Sequence, residues 1–211
     1  MPSIEDHAAR FDEKADSYDD SKSDEYRACA SLVVEHAAPD PDETVLDVGT
    51  GTGAIALRVA EDAGRAVGRD ISEEMLAQAR EKARERGIEN VDFGEGRFRE
   101  PNVPDEADVD VVTSNFAMHH LSDAEKREAI RVAADLGARR FVLGDVMLFV
   151  EADPSAPFYS PEVDDPATVG ALADAFTDAG FALTAVERVH DQVGVLVGER
   201  VEEGATPAVG F

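Results

Sequence analysis

Two carboxylates, three glycines and a pair of histidines carry most of the chemistry this sequence could perform. In VLDVGTGTG, Asp47 stands just ahead of Gly49, Gly51 and Gly53. Glycines so spaced let the backbone turn sharply and let a ligand approach with no side chain in the way. Because Ala54 follows, the same loop satisfies the permissive Gly-x-Gly-x-x-Ala dinucleotide fingerprint, so spacing alone leaves two readings open. Charge separates them. A pyrophosphate at this turn would be opposed by Asp47, whereas a ligand bearing an ammonium group would gain from it. S-adenosylmethionine has an ammonium, a sulfonium and no phosphate, and is the ligand this pattern favours. Asp70, in AVGRDIS, is placed to accept bonds from two ribose hydroxyls, a feature of both ligand classes. His119 and His120 are adjacent, and either could take a proton from a substrate. The competing reading is that one packs against or caps the next helix and the other is exposed. His7, His36 and His190 lie in less suggestive places, near the N-terminus, in an N-terminal helix and in a hairpin turn.

These residues need strands that end at one edge of a sheet. The pattern predicts a helix over 24–37, a buried strand over 44–48, and a helix opened by the glycine loop through Ile55, Leu57 and Val59. A second strand runs over 66–70. Ser72 is a fitting N-cap, with Glu73 and Glu74 in the first turn of a helix that stops at Gly87. Further strands are expected over 91–93, 109–113 and 140–145. Ser122-Asp-Ala-Glu125 is a capping-box pattern opening a helix that ends before Gly137. Pro154, Pro157, Pro161 and Pro166 break regular structure before a helix over 166–179. The segments 183–189 and 193–199 are too close for a parallel crossover and must form an antiparallel hairpin. The expected fold is α/β, a Rossmann-like three-layer sandwich with a mostly parallel seven-stranded sheet and an antiparallel C-terminal hairpin. One domain is expected over 1–211, with an N-terminal helical lid (1–40), a cofactor-binding core (41–145) and a substrate loop with helix and hairpin (146–211).

With these motifs in place the chain resembles the class I S-adenosylmethionine-dependent methyltransferases along nearly its whole length. VLDVGTGTG is similar to that family's first motif, VGRDISEEML to its second and VDVVTSNFAMHHL to its fourth. RFDEKADSYDD is similar to the N-terminal entry of many small-molecule members, and FAMHHLSDAEKREAI with LGDVM is similar to a group of small members. The resemblance implies a cofactor site of Tyr18, Asp47, Gly49, Thr50, Gly51, Gly53, Asp70, Ile71, Met75, Gly96, Phe98, Asn115 and Phe116, with no metal. Ile71 would lie against the adenine, Asn115 and Phe116 near the methionine and sulfonium, and Tyr18 over the cofactor. S-adenosylhomocysteine would be the product. Two departures stand out. Gly96-Arg97-Phe98 replaces the usual Gly-Asp, leaving the adenine to the backbone or Phe98, and Arg69 stands where an apolar residue is usual, an Arg expected to pair with a surface acid.

Composition narrows the partners. The 46 Asp and Glu against 20 Lys and Arg give a net charge of −26, which fits a salt-rich cytoplasm and offers no basic patch for nucleic acid. The longest apolar runs fall far short of the ~20 residues of a membrane helix, and the acidic start has no apolar signal region, so a cytoplasmic protein is expected. The single cysteine, Cys29, excludes a disulfide framework and reads as a small buried residue far from the motifs. Ser114-Asn-Phe-Ala117 is not the Asn-Pro-Pro-Tyr type of motif that goes with amino-group methylation of adenine or glutamine. A small-molecule acceptor is left, in a pocket formed by the N-terminal segment, the histidines and Phe149, Phe158 and Tyr159. The assembly is expected to be a monomer or homodimer. The alternatives are a nicotinamide-dependent reductase and an S-adenosylmethionine-binding protein without catalysis.

Overall fold

A computed structural model describes residues 3–150 and 158–201. Its sheet has seven strands: β1 (Thr44–Val48), β2 (Arg65–Asp70), β3 (Val91–Glu95), β4 (Val111–Asn115), β5 (Arg140–Val146), β6 (Phe181–His190) and β7 (Val193–Arg200). Their order is β3-β2-β1-β4-β5-β7-β6. The first five are parallel, and β7 pairs antiparallel with both β5 and β6. The helices are α1 (Ile4–Lys14), α2 (Asp24–Ala37), α3 (Ala56–Val59), α4 (Glu73–Arg86), α5 (Asp123–Asp135) and α6 (Val169–Asp178).

The central strands are apolar on both sides, as a sheet covered by helices requires. Side chains alternate between the two faces. Val45, Val111, Val142 and Val195 pack with Cys29 and Val33 of α2 on one face. Leu46, Val112, Phe141 and Leu196 pack with Ile130 of α5 and Phe176 of α6 on the other. Burying these alternate rows, at roughly 25 cal/mol per Å² of apolar surface, is what holds the three layers together.

Several boundaries differ from the sequence reading, and three of them have a local cause. β4 starts two residues later, at Val111, because Asp110 is used at the strand mouth, where its carboxylate accepts the Thr44 N–H at 2.8 Å. Asn115 thereby becomes the last residue of the strand. α3 is a single turn, since the glycine loop uses up the preceding residues. α6 starts at Val169 rather than 166, because the Thr168 side chain caps the Ala171 N–H at 3.1 Å. Of the predicted prolines, Pro154 and Pro157 lie outside the described residues. The C-terminal ends of β1, β2, β4 and β5 meet at one sheet edge, and the strand order reverses between β1 and β4, where ligands bind in folds of this kind.

Candidate active site

Gly49, Gly51 and Gly53 all have positive φ, at 73°, 54° and 82°, so the loop after β1 has a shape that other residues adopt only with strain. The N–H groups of Gly49 and Thr50 donate to the Arg69 carbonyl at 2.8 and 3.0 Å, tying the loop to β2. A Cβ on Gly49 would lie 2.4 Å from the Ala117 Cβ, so this glycine also lets the loops after β1 and β4 touch. Phe116 is itself left-handed, with φ of 54°, and its N–H donates to the Gly144 carbonyl at 2.8 Å. A non-glycine held in that region beside a cavity is strain retained by its surroundings.

A cavity of about 400 Å³ opens above this edge. The predicted residues Tyr18, Gly49, Gly51, Asp70, Ile71, Met75, Gly96, Phe98, Phe116 and His120 line it. So do Ile4, His7 and Phe11 of α1, together with Arg97 and Arg99, which the sequence reading did not assign. Asp47, Thr50, Gly53, Asn115 and His119 stand behind that wall. Phe149, Phe158 and Tyr159 do not reach the cavity. Phe158 instead stacks on Phe116 and His190, at 6.4 and 5.3 Å between ring centroids, and Phe149 packs against Gly194.

The two acids differ in their surroundings. Asp70 accepts the Gly51 N–H at 2.7 Å and the Ser72 N–H at 3.0 Å, and it faces the cavity; burial nonetheless pushes its carboxyl above the usual range. Asp47 is 1% exposed, and its Oδ1 accepts from the Thr113 hydroxyl at 2.8 Å. Its Oδ2 makes no hydrogen bond of good geometry, although the Thr50 hydroxyl is close enough to favour the charged form. Burial dominates and pushes the Asp47 carboxyl up to about 6. Asn115 is likewise buried, and neither side-chain atom makes a well-formed hydrogen bond, with the Tyr26 hydroxyl nearby.

Aromatic rings cluster beside Phe116 and Tyr18. Tyr26 packs on Phe116 at 5.1 Å, and the Lys22 ammonium lies 3.3 Å from the Tyr18 ring centroid and 3.6 Å from that of Tyr26. Burial among these rings lowers Lys22 to about 7. Rings that hold a lysine in this way would hold another cation by the same attraction.

The histidines are each tied to a carboxylate. Asp145, at the end of β5, accepts from the His119 backbone N–H at 2.9 Å and pairs with its Nδ1. His120 Nδ1 lies 2.7 Å from Asp164. Burial lowers His120 despite that partner. Burial alone would raise Asp164, but the bond to His120 and the Ser160 N–H hold it at about 2.

Sequence reasoning missed both carboxylates. Asp145 had a usable signal, an acid ending a predicted strand in LGDVM, whereas Asp164 lies in the proline-interrupted segment with none. The acids of RFDEKADSYDD were also unassigned. Asp12 accepts from the Ser72 hydroxyl at 2.6 Å and Asp19 from the Thr52 hydroxyl at 2.7 Å. Arg69 does pair with a half-exposed acid, Asp92, at 2.6 Å, but the guanidinium itself is buried and also donates to the Gly68 and Asn102 carbonyls. Among the described residues no helix is long and apolar enough to cross a membrane.

Comparison with known proteins agrees with this geometry. The "Methyltransferase domain" family matches residues 45–137, from β1 to the end of α5. The uncharacterized methyltransferase YcgJ of Bacillus subtilis is 34% identical over 137 residues, 64% of this chain and 53% of its own. Its crystal structure superimposes with a TM-score of 0.65 at 27% identity, covering 77% of this chain and 71% of that one. Nocamycin O-methyltransferase of Saccharothrix syringae is 29% identical over 191 residues, 89% of this chain and 64% of its own. A DhpI-SAM-HEP complex shares the fold, with a TM-score of 0.72 at 18% identity over 94% of this chain and all of that one. The chain spans about half the length of YcgJ. Motifs, sheet order and relatives agree: the chain belongs to the class I S-adenosylmethionine-dependent methyltransferases.

Proposed function

We propose that this protein transfers a methyl group from S-adenosylmethionine to a small-molecule acceptor. The observation that carries this reading is the pair of acids at the mouth of a glycine loop. Asp70 faces the cavity, while Asp47 keeps one oxygen without a well-formed bond in a buried position. A pyrophosphate would meet both negative charges; a ligand with a cationic amino-acid tail and a ribose would be favoured by both. The residues present therefore fit S-adenosylmethionine. Asp70 would accept from the ribose, Ile71, Gly96 and Phe98 would flank the adenine, and Gly49, Thr50, Gly51 and Gly53 would give the backbone surface. Met75 would close the floor, and Tyr18, Asn115 and Phe116 would border the methionine, with Asp47 favouring its ammonium. The cofactor, when bound, supplies a methyl group already activated by a sulfonium leaving group. The chain's part is then largely to align the acceptor and exclude water.

We read α1 as a lid within residues 1–40, because Ile4, His7 and Phe11 face the cavity while Asp12 fastens the helix to Ser72. A small acceptor is supported by the limited cavity and by the O-methyltransferase among the relatives. Calorimetry tests the reading: S-adenosylhomocysteine should bind and raise the melting temperature, and tight NAD or NADP binding without a response to it would overturn it. We also read the charge of −26 as adaptation to a salt-rich cytoplasm. Stability should then rise from about 0.1 to about 2 M potassium chloride, by more than sucrose produces, because only salt screens repulsion.

A further inference from the structure

We propose that His120 is the general base of this site, oriented by Asp164, and that its acceptor is a neutral hydroxyl compound; this rests on the methyltransferase reading. The two adjacent histidines are built alike but placed differently. His119 is 7% exposed, lies behind the cavity wall, and is held twice by Asp145, through its backbone N–H and its Nδ1. Its ring packs 4.1 Å from that of His120 and 6.2 Å from that of Phe116, so it serves as a positioning residue. His120 lines the cavity.

The tautomer of His120 follows from its partner. Asp164 accepts the Ser160 N–H at 2.8 Å on one oxygen and meets His120 Nδ1 at 2.7 Å on the other. A carboxylate can only accept, so Nδ1 carries the proton and Nε2 has a free lone pair. No described residue hydrogen-bonds to that nitrogen. His7 and Phe11 of α1 roof the ring at 5.2 and 5.4 Å, and burial under this roof favours the neutral form, which is the one that can take a proton. The charged or titratable groups acting on it are Asp164, Asp145 and His119, with His7 across the roof.

A base of this kind matters only to a nucleophile that must lose a proton. A free amine attacks with its lone pair and a thiol ionises readily near neutrality, whereas a hydroxyl oxygen needs help. In the step, the hydroxyl proton passes to His120 Nε2, the pair left on oxygen takes the methyl carbon, and the former carbon–sulfur pair stays with sulfur. The imidazolium, stabilised by Asp164, then releases its proton to water.

Two measurements test this. The first is long-range proton–nitrogen NMR on histidine-labelled protein saturated with S-adenosylhomocysteine at pH 7.5. A neutral His120 with a bare Nε2 is expected, and Asp164→Asn should shift its tautomer balance; a proton on Nε2, in either charge state, would overturn the assignment. The second uses a panel of phenols with the matching anilines and thiophenols. Phenol methylation should fall by about 10²- to 10⁴-fold in His120→Gln, with KM and S-adenosylhomocysteine affinity kept and the acid limb of the pH–rate profile lost. Turnover of anilines or thiophenols alone, or phenol turnover in the variant within about threefold of the parent, a change too small for general-base loss, would also overturn it. Failure of the parent to bind S-adenosylhomocysteine would instead remove the methyltransferase reading beneath it.

Discussion

The two sides of the cavity are built in different ways. The glycine-loop side comes from nearly contiguous chain, β1 through the start of α4, and its shape is set by backbone: three glycines with positive φ, N–H groups donating to the Arg69 carbonyl, and Asp70 accepting from Gly51 and Ser72. The histidine side is assembled from His7 of α1, His119 and His120 of the turn after β4, Asp145 of β5 and Asp164 of the segment before α6, which meet through side chains. A backbone-built surface should fail sharply when a side chain is added. A side-chain-built one should lose chemistry while keeping its shape.

The largest expected effect follows from that difference. Gly49→Val would place a branched side chain at a φ of 73°, with its Cβ only 2.4 Å from the Ala117 Cβ. Strain and overpacking together should cost about 3 kcal/mol or more. A substantially lower melting temperature and loss of S-adenosylhomocysteine binding are expected. A variant that melts within a degree or two of the parent would mean that the loop is not rigidly specified.

The two sides should also respond oppositely to acid. Asp47, on the glycine side, titrates near 6 in the folded protein against 3.8 for an ordinary carboxyl. Because its folded value is raised, the folded state holds the proton longer, so its share of stability is lost as pH rises from about 4 to about 6 and the penalty persists above. The penalty is about 3 kcal/mol. Asp47→Asn should remove that slope and raise the melting temperature at neutral pH. Asp164, on the histidine side, is lowered to about 2 from 3.8, so its contribution is present above about 4 and lost as pH falls toward 2. Asp164→Asn should flatten the acid side of the stability curve. Denaturant titrations from pH 3 to 7 on both variants would separate them, and parallel curves would break the contrast. The cofactor role proposed for Asp47 adds a sign of its own: S-adenosylhomocysteine should bind more tightly as pH rises through 6.

Asp70→Ala comes next. Removing an acceptor shared by Gly51, Ser72 and, on our reading, the ribose should weaken S-adenosylhomocysteine binding by about 1 to 3 kcal/mol, or roughly 5- to 150-fold by calorimetry. Unchanged affinity would move the cofactor site elsewhere.

This contrast also explains what the sequence made legible. The succession of strands and helices along the chain, the terminal hairpin and the acid–glycine pattern could all be read, because each depends on local periodicity or on residues a few positions apart. Asp164 could not be read, since nothing local marks which acid in a proline-interrupted stretch will turn toward His120. Phe149, Phe158 and Tyr159 were expected in the pocket on composition alone; only packing decides that Phe158 stacks on Phe116 and His190 outside it. Arg69 reads as a surface residue by type, yet three backbone carbonyls and Asp92 compensate its burial on the sheet.

The smallest effect concerns the joint between the two sides. α1 contributes His7 and Phe11 to the roof over His120, but Asp12 and Asp19, in and just after that helix, attach to Ser72 and Thr52 beside the glycine loop. The roof of the histidine side is thus fastened on the glycine side. Asp12 accepts the Ser72 hydroxyl at 2.6 Å, while that same hydroxyl caps α4 by accepting the Met75 N–H at 3.2 Å. Asp12→Ala should leave the α4 cap in place and cost only about 1 kcal/mol, the scale of one hydrogen bond. The loss should appear as faster amide exchange confined to α1, since local opening is governed by such contacts. Cofactor affinity should fall by a few-fold at most, with the glycine-loop amides unchanged. If exchange quickens equally in α1 and in the glycine loop, the two sides open as one unit and the lid is not a separate element.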